Sequence, residues 1–105
     1  MIIKLYTELP KESYEIRKKV FVEEQGFKNE FDDIDKSSTH LVLYDKEIPI
    51  ATCRFFQSSY KEYVIGRIAV IKQYRGQNIG SQLLVSAEDE IRRIGGIQIF
   101  LHSQD

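Results

Sequence analysis

The chain contains one cysteine, Cys53, so no intramolecular disulfide can form within it. With Ala51, Thr52 and Phe55 around it, Cys53 reads as a small packing residue of a strand. No basic residue is placed to lower its pKa, which counts against a covalent mechanism. No apolar run is long enough to span a bilayer, and the N-terminus lacks the basic, apolar and small-residue order of a signal peptide. These absences exclude a membrane partner and a disulfide-stapled domain, and make a reducing cytoplasm the expected compartment. Neither sign of charge is in excess: the formal net charge is −1, which argues against a nucleic-acid partner. Repeats, low-complexity tracts and linkers are absent as well, so residues 1–105 read as a single small domain.

What is present is a soluble, core-forming composition, 42% apolar and 30% charged. Acidic residues crowd the first third of the chain (Glu23, Glu24, Glu30, Asp32, Asp33, Asp35), whereas Arg67, Lys72 and Arg75 lie near its later turn. Ile2-Ile3-Lys4-Leu5-Tyr6-Thr7 alternates as a strand, and Pro10 opens a helix whose stripe is Leu9, Ser13, Ile16 and Val20. Gly26 stops that helix, and Phe27 to Ser38 is expected to fold back on the body as a loop or short helix. Strands follow at Thr39–Tyr44, Ile48–Phe56 and Glu62–Val70. Turns at Asp45-Lys46-Glu47 and Gln57-Ser58-Ser59-Tyr60 join them into an antiparallel meander, with Pro49 at a strand start or edge. A helix then runs to about Ile94 with Ile79, Leu83, Leu84, Ala87, Ile91 and Ile94 on one face. Its outer face offers Glu88–Arg92 and Asp89–Arg93 pairs, and Gly95-Gly96 ends it. The last strand, Ile97–His102, must lie parallel to Glu62–Val70 if the crossover is right-handed. The fold class is α+β, a mixed sheet with the order β-α-β-β-β-α-β.

Between the Glu62–Val70 strand and the following helix lies Arg75-Gly76-Gln77-Asn78-Ile79-Gly80-Ser81. A small-residue turn opening a helix aims unpaired N–H groups and the positive end of the helix dipole at one point, which suits a phosphate. A P-loop would need Gly-Lys-Ser/Thr, and the dinucleotide fingerprint would need three glycines; neither is present. By its own chemistry the turn is equally well explained as a tight connection in which Gly76 and Asn78 permit positive φ.

The turn nevertheless resembles the acyl-CoA-binding signature of the GNAT superfamily of N-acetyltransferases, Gln/Arg-x-x-Gly-x-Gly/Ala, running here from Arg75 to Gly80. Gly66-Arg67-Ile68-Ala69-Val70 is similar to the family's pantetheine-binding strand. Val20-Phe21-Val22-Glu23-Glu24-Gln25-Gly26, Asp32-Asp33-Ile34-Asp35, Thr39-His40-Leu41-Val42 and Leu101-His102-Ser103-Gln104 resemble the small ElaA-like branch. Asn78 departs from the signature's Gly, though Asn is the next most tolerant residue of left-handed backbone. The chain also stops at Asp105, where the family's domain continues through a further helix and two strands. The resemblance therefore implies a truncated fold, without the Tyr that usually protonates the departing thiolate.

That resemblance implies an enzyme that moves acetyl from acetyl-CoA, its co-substrate, to a primary amine of a small molecule or peptide, with no metal. Ile68, Ala69 and Val70 would pair with pantetheine, and the backbone of Arg75, Gly76, Gln77, Asn78, Ile79, Gly80 and Ser81 would hold the pyrophosphate. Candidates for the base that frees the amine are His102, Glu23, Glu24 and His40. Arg54 and Arg67 would either orient an acceptor carboxylate or pair with Asp32, Asp33 or Asp35. The rival readings are a non-catalytic acyl-CoA-binding module and a fragment forming a homodimer through the apolar edge of Ile97–His102.

Overall fold

A computed structural model describes residues 1–28 and 30–102. Strand β1 (Ile2–Tyr6) is followed by helix α1 (Lys11–Arg17), which Pro10 opens from an extended backbone and whose first bond runs from Tyr14 N–H to the Pro10 carbonyl. The helix widens into a π-helical turn over Lys18–Glu24. Gly26, at φ +77°, stops it and donates back to the Val22 carbonyl. Residues 27–28 and 30–38 fold back on the body as expected, with a 3-10 turn at Asp33–Ser37. Strands β2 (Thr39–Asp45), β3 (Ile48–Ser59) and β4 (Glu62–Val70) form the meander. A 3-10 turn at Lys72–Tyr74 leads toward helix α2 (Ile79–Arg93), and β5 (Gln98–Leu101) closes the described chain.

The sheet order is β1-β2-β3-β4-β5, antiparallel throughout except for the parallel β4–β5 pair. The expected element order and the parallel crossover both hold. Several boundaries move. The second hairpin turns at Tyr60-Lys61 rather than over residues 57–60, because Lys61 adopts the left-handed backbone (φ +55°) and lets Ser59 pair with Glu62. Pro49 is the second residue of β3, beside a register shift, where its missing N–H is tolerated. On α2 the outer ion pair joins Arg93 to Glu90 at 2.6 Å, one residue closer than the expected Asp89, and Ile94 is exposed.

The two faces of the sheet differ in kind. Under α2 the core is hydrocarbon: Leu41, Leu43, Cys53, Phe55 and Ile65 from the strands meet Ile79, Leu83, Ala87 and Ile91 of α2, all essentially inaccessible. These helix positions are four apart, so one stripe carries the whole interface. Under α1 the apolar cluster is small (Ile16, Val20, Phe21 and Ala69), and the rest of that side is polar. Ser13 of α1 hydrogen-bonds Thr52 of β3 at 2.7 Å, and Thr52 in turn donates to the Leu41 carbonyl. Beside them lie buried Arg17, His40, Arg54 and Arg67.

Candidate functional site

β4 is irregular where the sequence expects a binding strand. Thr52 pairs with Ala69 and Arg54 with Gly66, so Arg67 and Ile68 together stand opposite Cys53. The extra residue is a β-bulge, and Arg67 absorbs it with a left-handed backbone (φ +52°). The same place ends the pairing with β5: Glu62 to Ile65 pair with Gln98 to Leu101, and the last bond runs from His102 N–H to the Ile65 carbonyl at 2.9 Å. From Gly66 onward, β4 has no β5 partner among the described residues. Ile68, Ala69 and Val70 lie beyond the last described β4–β5 pair, Ile65 with Leu101. His102 sits at that point, with its Cβ 3.5 Å from where a Gly66 Cβ would be.

β4 leads straight into the turn. Tyr74 anchors it by donating to Asp45 at 2.7 Å. Gly76 (φ +83°) and Asn78 (φ +60°, ψ 24°) take left-handed conformations, and Ile79, 2% exposed, fixes the start of α2 in the apolar core. No side chain caps this helix, and its first turn carries no acidic residue. The leading N–H groups are thus left to an outside acceptor, with the dipole unopposed. A Cβ on Gly80 would meet only the Ile68 Cγ2, at 3.9 Å. Packing alone therefore does not require glycine there, and the bare backbone lies beside Ile68 of β4.

The candidate bases are distributed unevenly. His102 and Glu23 are exposed. Glu24 is held by Arg75, whose terminal nitrogens lie 3.0 and 3.1 Å from its two oxygens while Arg75 Nε donates to the Val70 carbonyl at 2.9 Å. His40 is completely buried on the α1 side of the sheet. Its Nε2 lies 3.0 Å from the Asp35 carbonyl, which can only accept, so Nε2 carries the proton; burial holds its pKa below 6.5 and keeps the ring neutral. His40 thus belongs to the packed interior, while His102 follows the last described β4–β5 pair and the Glu24–Arg75 pair borders the turn.

Arg54 and Arg67 find the acidic partners that the sequence offered, with one difference. Arg54 bonds Asp32 at 2.7 Å and Asp35 at 2.8 Å, whereas Arg67 bonds Asp32 at 3.2 Å and Glu30 at 2.9 Å. Asp33 faces solvent with Lys36. The central cation, Arg17, was not anticipated. It is 1% exposed and pairs with Glu30 at 3.0 Å and Asp35 at 2.7 Å, with Phe31 against its guanidinium. Its signal was available: Arg17 lies one turn from Ser13 and beside Ile16 on the buried stripe of α1. Arg54 hydrogen bonds hold Asp32 below the usual carboxylate value. Burial pushes Asp35 up, but hydrogen bonds from Arg17 and Arg54 more than reverse this. For Glu30 burial wins, and its pKa is raised despite Arg17 and Arg67. Glu30, Asp32 and Asp35 thus serve as counter-ions of the buried arginines, while Glu23 and Asp33 stay on the surface.

A cavity of about 460 Å³ opens beside this cluster, lined by Leu9, Phe31, Glu8, Asp33 and Asp32 among others. Through Asp32 it is one ion pair removed from Arg67 at the β4 bulge. Among the described residues no group of His, Cys, Asp and Glu is arranged to hold a metal, and no helix is long and apolar enough to cross a membrane.

A sequence profile of the acetyltransferase (GNAT) family matches residues 3–105. A Bacillus subtilis (strain 168) protein named as an acetyltransferase is 36% identical over 98 residues, covering 88% of this chain and 65% of its own length. The chain thus spans about two thirds of that relative. An N-acetyltransferase structure from Lactobacillus plantarum superposes with a TM-score of 0.84 at 31% identity, covering 98% of this chain and 76% of the other. Escherichia coli ElaA (TM-score 0.78, 23% identity, 96% and 76% covered) shares the fold. So does a Brucella melitensis GNAT acetyltransferase in complex with acetyl-CoA (TM-score 0.75, 17% identity, 99% and 77% covered).

Proposed function

Because the chain belongs to the GNAT acetyltransferase family, we propose that it binds acetyl-CoA as co-substrate and passes the acetyl group to a primary amine of a small molecule or peptide. One observation carries this reading: the uncapped start of α2, with Gly76 and Asn78 left-handed before it, adjoins β4 just past its bulge at Arg67, with Gly80 beside Ile68. The first element suits a pyrophosphate and the second a pantetheine arm, and the complex of the Brucella relative with acetyl-CoA supports the pairing. Bound acetyl-CoA supplies the thioester carbonyl that the amine attacks.

In this reading the backbone groups of Ile68, Ala69 and Val70 pair with the pantetheine arm as a strand would. The N–H groups from Gly76 to Ser81 hold the diphosphate, and Arg75 stands beside them. A strand N–H near Val70 faces the negative charge that develops on the carbonyl oxygen, a contribution that needs no reorganisation at the moment of reaction. At neutral pH an amine is mostly protonated, so a base must take its proton first. His102 is the candidate best situated for that step, being exposed beside Gly66 at the end of the described β4–β5 pairing. The cavity beside Phe31 and Asp32 is the acceptor site this reading favours, since its carboxylates suit a cationic amine. A cytoplasmic setting, in keeping with the buried free thiol of Cys53, is part of the same reading.

Titration calorimetry with CoA, followed by a thiol-release assay across a panel of amines, tests it. Wild-type protein is expected to bind CoA, and Gly80→Glu to bind none while remaining folded, because it sets bulk and negative charge at the diphosphate. Unchanged affinity in folded Gly80→Glu defeats the cradle assignment. Binding without thiol release over the whole panel would instead favour a non-catalytic acyl-CoA-binding module. A homodimer through β5 is the further reading, favoured by the exposure of Phe100 (50%) and Leu101 (60%) on the last strand of the sheet.

A further inference from the structure

Arg75 is the residue of the turn with the most to offer a phosphate, yet three of its five N–H donors are already engaged. Nε is committed to the Val70 carbonyl at 2.9 Å, and the two terminal nitrogens form a fork on the two oxygens of Glu24, at 3.0 and 3.1 Å. A guanidinium presents its paired donors in one plane, and carboxylate and phosphate oxygens accept them with the same geometry. The fork that grips Glu24 therefore cannot grip a diphosphate at the same time.

From this geometry we infer that Glu24 is an internal competitor of the CoA diphosphate: it holds Arg75 in a phosphate-free position and sets how tightly, and how selectively for phosphorylated ligands, the turn binds. The inference rests on the acyl-CoA reading above. Both partners are part-exposed, with side chains 43% and 31% accessible, so the pair can open without disturbing the core. An exposed pair of this kind contributes little, which suits a contact that must be exchanged in each binding event. The competing carboxylate comes from the far end of α1's π-helical turn, so the end of that element and the diphosphate turn share one cation. Glu24 therefore acts through Arg75 as a positioning residue.

The test compares CoA with pantetheine, which carries no phosphate, by titration calorimetry on wild type, Glu24→Gln and Glu15→Gln. Glu15→Gln makes the same change of net charge on the exposed side of α1. Glu24→Gln is expected to bind CoA about two- to fivefold more tightly, the range set by the strength of an exposed ion pair. Its affinity should also fall more steeply with salt, because Arg75 is then free for the phosphate. Pantetheine affinity should not change, and Glu15→Gln should match wild type with both ligands. Wild-type binding of CoA with unchanged or weaker binding by Glu24→Gln overturns the inference alone, as does an equal gain for pantetheine or the same gain in Glu15→Gln. Failure of wild type and variants alike to bind CoA overturns both the inference and the acyl-CoA reading.

Discussion

Replacing Asp35 by Asn tests whether the ionic layer under α1 is a structural part of the fold. Asp35 is 5% exposed and accepts from Arg17 at 2.7 and 3.1 Å and from Arg54 at 2.8 Å, so one carboxylate serves two guanidiniums that are 1% and 3% exposed. Asparagine keeps the shape but removes the charge and points an amide donor at donors. Removing one partner of a buried pair costs about 3–5 kcal/mol; Arg17 keeps Glu30 and Arg54 keeps Asp32, so the loss should lie near the lower end of that range. A domain of this size has about 5–15 kcal/mol in total, so the variant would lose a large share of it. At about 4–8 °C per kcal/mol the unfolding midpoint should fall by at least about 12 °C. Urea titration followed by circular dichroism at pH 7 measures the loss directly. A loss below about 1 kcal/mol at unchanged slope, the value of a solvated pair, would refute the account.

The pH profile carries the same argument with its sign. Asp32 and Asp35 lie below their usual value of 3.8 in the folded chain, so their contribution is complete above about pH 4 and is lost as pH falls through the folded values. His40 lies below 6.5, so acid weakens the fold from about pH 6.5 downward, where the unfolded chain takes up the proton first. Glu30, raised above 4.5, opposes this: its contribution declines as pH rises from 4.5 through its folded value. Wild type should therefore weaken in two stages on acidification, and Asp35→Asn should blunt the lower one.

Two further expectations concern the apolar side of the molecule. Gly96 ends α2 by donating to the Ile91 carbonyl at 2.8 Å, and a Cβ there would sit 2.8 Å from Tyr63 Cδ1 and collide with the Ile91 side chain. Gly96→Ala should cost about 1–3 kcal/mol by overpacking; an unchanged thermal midpoint would contradict the close approach. Cys53 is 1% exposed, and burial pushes its thiol up to about 12. It should resist thiol reagents in the native protein and react at the rate of unfolding in urea. Fast labelling of native protein at pH 8 would show that the core is open.

The regular elements were legible because their signals are periodic. The four-residue spacing of Ile79, Leu83, Ala87 and Ile91 names both the helix and its buried face, and the meander follows from β-branched runs between polar turns. The signature turn was legible for a different reason: left-handed backbone favours Gly and Asn, and Gly76 and Asn78 take it. What sequence could not supply was the pairing of charges. Arg54 and Arg67 were open between an acceptor and the acidic loop, and only the fold of residues 30–38 across the sheet brings Glu30 and Asp32 to them. The bulge at Arg67 was equally hidden, since a left-handed arginine leaves no compositional trace. Arg17 is the instructive miss: a cation on an otherwise buried stripe announces a partner, and the partner is a loop thirteen residues on.

The polar face of the sheet bears on how its strands find one another. His40 and Arg54 are cross-strand partners, Arg54 pairs onward with Gly66, and Arg67 follows at the bulge. Hydrocarbon alone would accept several alignments of three such apolar strands. A slip of one residue in β3 would turn Arg54 from its carboxylates into the layer of Leu83 and Ile91 beneath α2, where an unpaired guanidinium is prohibitively costly. The arginines thus work as alignment pins. They make every neighbouring register worse than the native one, and so fix where the bulge falls.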